Sequence, residues 1–139
     1  MRQRYFLIEP KYSDPDTFCH FIVGSDRVRA SIQIYADTSM LLEVASALEA
    51  ESLPEEWPRE EDKFGSEDDV YFGLVITVMP HEGGERILRI KVFQDWLDDG
   101  APFRTDIRFH LPPNDAAQFA RELRAWCSKP EYAFIWKGD

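Results

Sequence analysis

The sequence predicts an α+β domain, in which a mostly antiparallel sheet of six to seven strands carries two helices on one face. Several short segments alternate apolar and polar residues, and this period of two is typical of half-buried strands. Two other segments carry apolar residues three and four positions apart, which is the spacing of one helical face. The same order recurs in both halves of the chain, which predicts two similar strand-turn-strand-helix units.

The first half predicts three strands and a helix. The strands are expected at residues 4–9, 17–23 and 27–35, and the third alternates most cleanly. A helix is expected around residues 38–51, because Pro54 forbids its continuation. Its apolar face comprises Leu41, Val44, Ala45 and Leu48.

The second half predicts the same order with one more strand. Strands are expected at residues 70–79, 86–94 and 102–111, and a terminal strand at 132–136. Two glycines after His81 indicate a turn between the first two of these strands. The helix, around residues 113–127, begins with Pro113, which suits a first helical turn. Its apolar face comprises Ala116, Phe119, Ala120, Leu123 and Trp126.

The two halves align without gaps at an offset of 75 residues. Ile32 then falls on Ile107, and Leu48 falls on Leu123. A duplication would produce this match, and so would two unrelated units that share a hairpin-plus-helix pattern. We treat residues 1–139 as a single domain with an acidic connecting segment at 52–69, because the length is ordinary for one domain.

Composition sets the expected location and partners. No apolar run is long enough to span a bilayer, and the apolar stretch near the N-terminus is too short for a signal peptide, so the expectation is a cytoplasmic protein with no membrane partner. Cys19 and Cys127 are expected as reduced, buried thiols, with a disulfide as the alternative. The net charge of −10 predicts no nucleic-acid partner and favours a basic protein partner.

The acidic charge is concentrated in one segment. Residues 49–69 contain ten acidic and two basic residues, a net charge of −8, together with Trp57. A solvated loop whose aromatic residues pack onto the domain is one interpretation. The other is a docking loop with the tryptophan as an anchor in a negative field. The partner-binding residues under this hypothesis are Glu55, Glu56, Trp57, Glu60, Glu61 and Asp62.

A second candidate surface is the polar face of the predicted sheet. It would present Arg29, Gln33, Arg89, Lys91, Phe93, Arg104, Arg108 and His110. This face could bind an anion, or form the site of a small-molecule-binding domain or an enzyme. The favoured interpretation is the solvated side of an antiparallel sheet, held by cross-strand pairs such as those of Asp106.

The chain contains no recognisable catalytic or cofactor motif. His20, His81 and His110 occur in no metal-ligand spacing, and no cysteine lies in a CxxC pair. Phosphate-binding glycine loops and a GxSxG motif are also missing. The sequence therefore predicts no catalytic residue, no metal site and no cofactor.

Residues 27–127 contain, in order, a first helix, a Trp-containing acidic stretch, a strand ending at Asp95-Trp96, and a closing helix after Leu111-Pro112-Pro113. In this order of elements, that part of the sequence resembles small bacterial immunity proteins of the WapI-like kind and allied uncharacterised domains. The resemblance implies a non-catalytic protein that neutralises a toxin, here through the acidic surface. Besides the small-molecule or enzymatic alternative, a structural accessory protein remains open.

Overall fold

A computed structural model describes residues 3–12, 17–36, 38–53, 55–58, 72–94 and 103–138, and these contain seven strands and two α-helices. The strands are Arg4–Tyr12 (β1), Thr17–Gly24 (β2), Arg29–Ala36 (β3), Phe72–Pro80 (β4), Arg86–Gln94 (β5), Phe103–Leu111 (β6) and Phe134–Gly138 (β7). The helices are Thr38–Glu49 (α1) and Pro113–Ser128 (α2). Both halves thus run through three strands into a helix, and the predicted α+β class is confirmed.

The strands form two antiparallel sheets instead of the single sheet that the sequence predicted. The first has the order β3-β2-β1-β7, and the second has the order β4-β5-β6. Each half of the chain therefore makes its own sheet, while the C-terminal strand returns to pair with β1. Both sheets have one apolar face, and two such faces can be buried together over a shared core.

One cluster of buried side chains joins both sheets and both helices. In the first sheet, Phe6 of β1 stacks on Phe21 of β2 with a ring-centroid distance of 6.2 Å. Phe119 of α2 contacts the two inward aromatic rings of β7, at 5.3 Å from Phe134 and 4.9 Å from Trp136. The terminal strand therefore ties the second helix to the first sheet through aromatic packing.

The helices lie against each other, with α1 beside β4 and α2 beside β6 and β7. Their predicted apolar faces are confirmed: Leu48 of α1 and Leu123 of α2 are both buried, as are the other apolar residues assigned to those faces. Pro113 begins α2, as its fixed φ angle predicts. Among the described residues, neither helix has the length and apolar character needed to cross a membrane.

Candidate functional site

The outer face of the three-stranded sheet carries a cluster of basic side chains. Register pairs Phe93 with Arg104, Lys91 with Asp106 and Arg89 with Arg108 across β5 and β6. Because alternate residues share a face of a strand, these six side chains point away from the core. We call Arg89, Lys91, Arg104, Asp106 and Arg108 the basic face; its four cations and one carboxylate carry a net charge of +3.

An ion pair lies at the centre of the basic face. Arg89 donates from Nε to both carboxylate oxygens of Asp106 at 3.0 Å, and from Nη2 to Oδ2 at 2.6 Å. The hydrogen bonds from Arg89 hold the pKa of the Asp106 carboxyl below its ordinary value, and the nearby charges of Arg89, Arg108 and Lys91 act in the same direction. Asp106 is therefore ionised near neutral pH and holds the guanidinium group of Arg89 in place. The sequence predicted that Asp106 would form cross-strand pairs of this kind.

One end of the basic face is held by an aromatic contact. The Arg104 guanidinium lies over the Phe93 ring, 5.3 Å from its centroid. Phe93 is only 2% exposed although it lies outside the central core cluster. A Cβ atom at Gly73, the β4 residue paired with Phe93, would lie 3.3 Å from Phe93 Cζ, so the small residue leaves room for the ring.

Two cavities adjoin strand β6. The larger, of about 480 Å³, lies between β6 and the turn that connects β2 to β3, and it includes Arg4, Val28 and Arg108 among its lining residues. The smaller, of about 200 Å³, lies over the sheet and includes Arg89 and Lys91. Both share Arg104, Thr105 and Asp106. The basic face is therefore concave and continues around the edge of the sheet.

The sequence located most of this surface but placed it on one sheet. Arg29 and Gln33 pair with Gly24 and His20 of β2, so they lie on the outer side of the first sheet, apart from the basic face. The division of the strands into two sheets separates them. Sequence reasoning also missed Arg4, because only the tertiary structure brings the start of β1 beside β6.

The acidic segment lies partly within the described residues. Glu55 and Glu56 are exposed, whereas Glu60, Glu61 and Asp62 lie outside the described residues. Trp57 is half-buried, packs against the core and exchanges two backbone hydrogen bonds of 2.9 Å with Val78 of β4. Its role as a docking anchor stays a prediction, and its backbone is fixed to the edge of the second sheet.

The two cysteines are free thiols. Burial raises the pKa of both Cys19 and Cys127 to about 11, and the proximity of Cys127 adds to the shift at Cys19. Both thiols are therefore protonated near neutral pH and are poor nucleophiles.

Comparisons with known proteins show the fold. No family model matches the chain, and no match is found among curated proteins. Among solved structures, the chain is similar to WHY1 from Arabidopsis thaliana, with 12% identity, a TM-score of 0.51, and coverage of 93% of this chain and 84% of that one. The similarity therefore extends over nearly the whole fold. A sequence identity of 12% is too low to transfer the role of any residue to this chain.

The prediction of no nucleic-acid partner was wrong as an inference from net charge alone. WHY1, whose fold this chain resembles, is a nucleic-acid-binding protein. The prediction used the net charge of −10, which averages over the whole surface. Binding instead depends on the local potential, and the basic face carries the opposite sign from the chain as a whole.

Proposed function

We propose that this protein is a binding module for a polyanion and that the polyanion is single-stranded nucleic acid. One observation carries the proposal: among the residues that the structure describes, five basic side chains line the two cavities beside β6, and Asp106 is the one acidic residue that lines them. The five basic residues are Arg4, Arg89, Lys91, Arg104 and Arg108.

The chemistry of the basic face fits a phosphate backbone. Four of the five basic residues that line the two cavities are arginines, whose planar guanidinium groups match phosphate oxygens bidentately. A flexible single strand can follow the surface from the sheet into the groove at its edge. A duplex is far stiffer and bends at considerable cost over so short a distance. The similarity to WHY1, a nucleic-acid-binding protein, supports the proposal at the level of the fold.

A binding titration tests the proposal. Labelled single-stranded DNA or RNA of about 20 nucleotides is titrated with the protein, and fluorescence anisotropy is read at several salt concentrations. We expect saturable binding whose logarithmic salt dependence has a slope of about −0.7 for each phosphate neutralised. The same sequence as a duplex should bind more weakly.

A matched pair of variants separates the basic face from a general charge effect. Arg104→Ala with Arg108→Ala removes two charges from the basic face, and Arg121→Ala with Lys129→Ala removes two exposed charges from α2 and its end. We expect the first variant to lose about tenfold or more in affinity, and the second to stay close to wild type. Equal losses in the two variants, or no binding by the wild type, would contradict the proposal.

A second candidate function rests on the acidic segment. Glu55 and Glu56 are exposed beside Trp57, whose backbone is fixed on β4. A basic protein, with a toxin as the specific case implied by the resemblance to immunity proteins, would be attracted to this charge. This proposal concerns a different surface from the basic face.

Charge reversal tests the second candidate without disturbing the packed tryptophan. Affinity capture from the source cell is compared for wild type, for Glu55→Lys with Glu56→Lys, and for a control with Glu43→Lys and Glu131→Lys on exposed positions elsewhere. A basic protein that the first variant loses and the control retains would support the acidic surface. Retention of every captured protein by all three forms would exclude it.

A further inference from the structure

Two histidines and a glutamate from different segments meet at one end of the second sheet. Nitrogen atoms of His81 and His110 and a carboxylate oxygen of Glu85 all lie within 4.8 Å of one another. Nε2 of His81 is 3.9 Å from Oε2 of Glu85, and the two imidazole rings meet edge to face with their centroids 5.7 Å apart. We propose that these three side chains form a binding site for a divalent transition-metal ion, with Zn²⁺ as the fitting example.

The turn that carries two of the ligands has a defined backbone. His81 and Glu85 lie at its two ends, and the His81 backbone N–H donates to the Glu85 carbonyl oxygen at 3.1 Å. Gly83 and Gly84 between them have φ angles of 68° and 79°, a region that costs other residues free energy. The hydrogen bond and the two glycines bring the ends of the turn together.

A buried arginine holds this turn against the rest of the protein. Arg86 is 5% exposed and donates from Nη1 to the carbonyl oxygens of Gly84 and Glu85, at 3.3 and 3.0 Å. Its Nη2 donates to the carbonyl oxygen of Ala50, just after α1, at 2.7 Å. Two of the three ligands therefore lie on a turn whose backbone is held in place by hydrogen bonds from the buried Arg86.

The third ligand is placed by strand pairing. His110 of β6 pairs with Ile87 of β5, which follows the turn directly. Register thus brings His110 beside the turn, and the fixed spacing of paired strands keeps it there. The site uses backbone positions that are already in place, so binding requires only rotation of side chains.

The donor set selects the class of metal. Two imidazole nitrogens and one carboxylate oxygen suit Zn²⁺ and its transition-metal neighbours, whereas Mg²⁺ and Ca²⁺ prefer oxygen ligands alone. Bonds of about 2.0–2.2 Å would place neighbouring ligand atoms roughly 3.3–3.5 Å apart. The side chains of His81 and Glu85 are 41% and 40% exposed, so they can rotate until their ligand atoms reach this spacing. Their exposure also leaves a coordination position for solvent.

The metal site is independent of the proposed function. His110 lies on the same side of β6 as Arg108, so a bound ion would extend the positive charge of the basic face. Its existence nevertheless does not depend on nucleic-acid binding, and its test uses the metal ion alone.

The test is a Zn²⁺ titration of the full chain by calorimetry. We expect one equivalent to bind, and we expect His81→Ala, His110→Ala and Glu85→Gln each to weaken binding by about tenfold or more. His20→Ala is the matched control, because His20 lies in the first sheet beside Glu9 and should not affect binding. An excess of Mg²⁺ should not displace Zn²⁺.

A spectroscopic readout accompanies the titration. The chain has three histidines, so Zn²⁺ should shift the imidazole proton resonances of two and leave those of His20 unchanged. Circular dichroism confirms that each variant is folded. Absence of wild-type binding at millimolar Zn²⁺, or unchanged binding by the double variant His81→Ala with His110→Ala, would overturn the proposal.

Discussion

Arg124 of α2 donates to Glu49 at the end of α1, from Nη2 at 2.8 Å and from Nε at 3.2 Å. The two residues are 75 positions apart, which is also the offset at which the two halves of the sequence align. The contact therefore joins the two helices at positions that the 75-residue offset makes equivalent in the two halves of the sequence.

The Glu49–Arg124 pair should contribute little to stability. Its side chains are 35% and 40% exposed, so solvent screens the attraction. A double-mutant cycle with Glu49→Gln and Arg124→Met should give a coupling free energy of about 0.2–1 kcal/mol that decreases as salt is added. A coupling well above this range, or one insensitive to salt, would show that the pair is more buried than its exposure indicates.

The helix faces should dominate stability. Leu48 and Leu123 are 3% and 1% exposed, so Leu48→Ala and Leu123→Ala should each lower the free energy of unfolding by about 2–5 kcal/mol. Leu42→Ala on the same helix as Leu48 is the control, since Leu42 is 37% exposed and should lose below about 1 kcal/mol. Denaturant unfolding measures all three variants. Similar losses for Leu42 and Leu48 would contradict the assigned faces.

Removal of the carboxylate from the basic face should strengthen nucleic-acid binding. Asp106→Asn takes away the negative charge that holds Arg89, so the potential of the face rises and the guanidinium can turn to phosphate. We expect a gain in affinity of several-fold, on the order of 1 kcal/mol, in the anisotropy titration. Asp115→Asn at the start of α2 is the control. A loss of affinity in Asp106→Asn would show that its pairing with Arg89 organises the site.

The same carboxyl group predicts a pH dependence of stability. Hydrogen bonds from Arg89 lower the folded-state pKa of Asp106 below its ordinary value of 3.8. A depressed pKa stabilises the folded protein fully above the unfolded-state value, and this contribution is lost as pH falls through the folded-state pKa. The difference in unfolding free energy between wild type and Asp106→Asn should therefore shrink below pH 3.8. Denaturant melts between about pH 5 and 3 measure it, and a constant difference would contradict the assignment.

The sequence determined by itself the features that depend on neighbouring residues. Periodicity along the chain predicted the alternation in β3 and the buried faces of both helices, and Leu48 and Leu123 lie inside as expected. It also predicted that Arg89, Arg104 and Arg108 share the outer side of their strands, because side-chain direction in a strand follows from position alone.

Only the tertiary structure decided which elements meet. Strand partners are chosen by the burial of whole faces, so local patterns could not show that the strands divide into two sheets or that β7 returns to β1. The same applies to the candidate sites. Arg4 of the first sheet lines the groove beside β6 of the second sheet only because the tertiary structure brings the two sheets together. His110 reaches His81 and Glu85 because β6 pairs with β5, which follows their turn. A search for motifs misses such sites, because a motif records only how far apart residues are in sequence. A binding site depends on how far apart their side chains are in space.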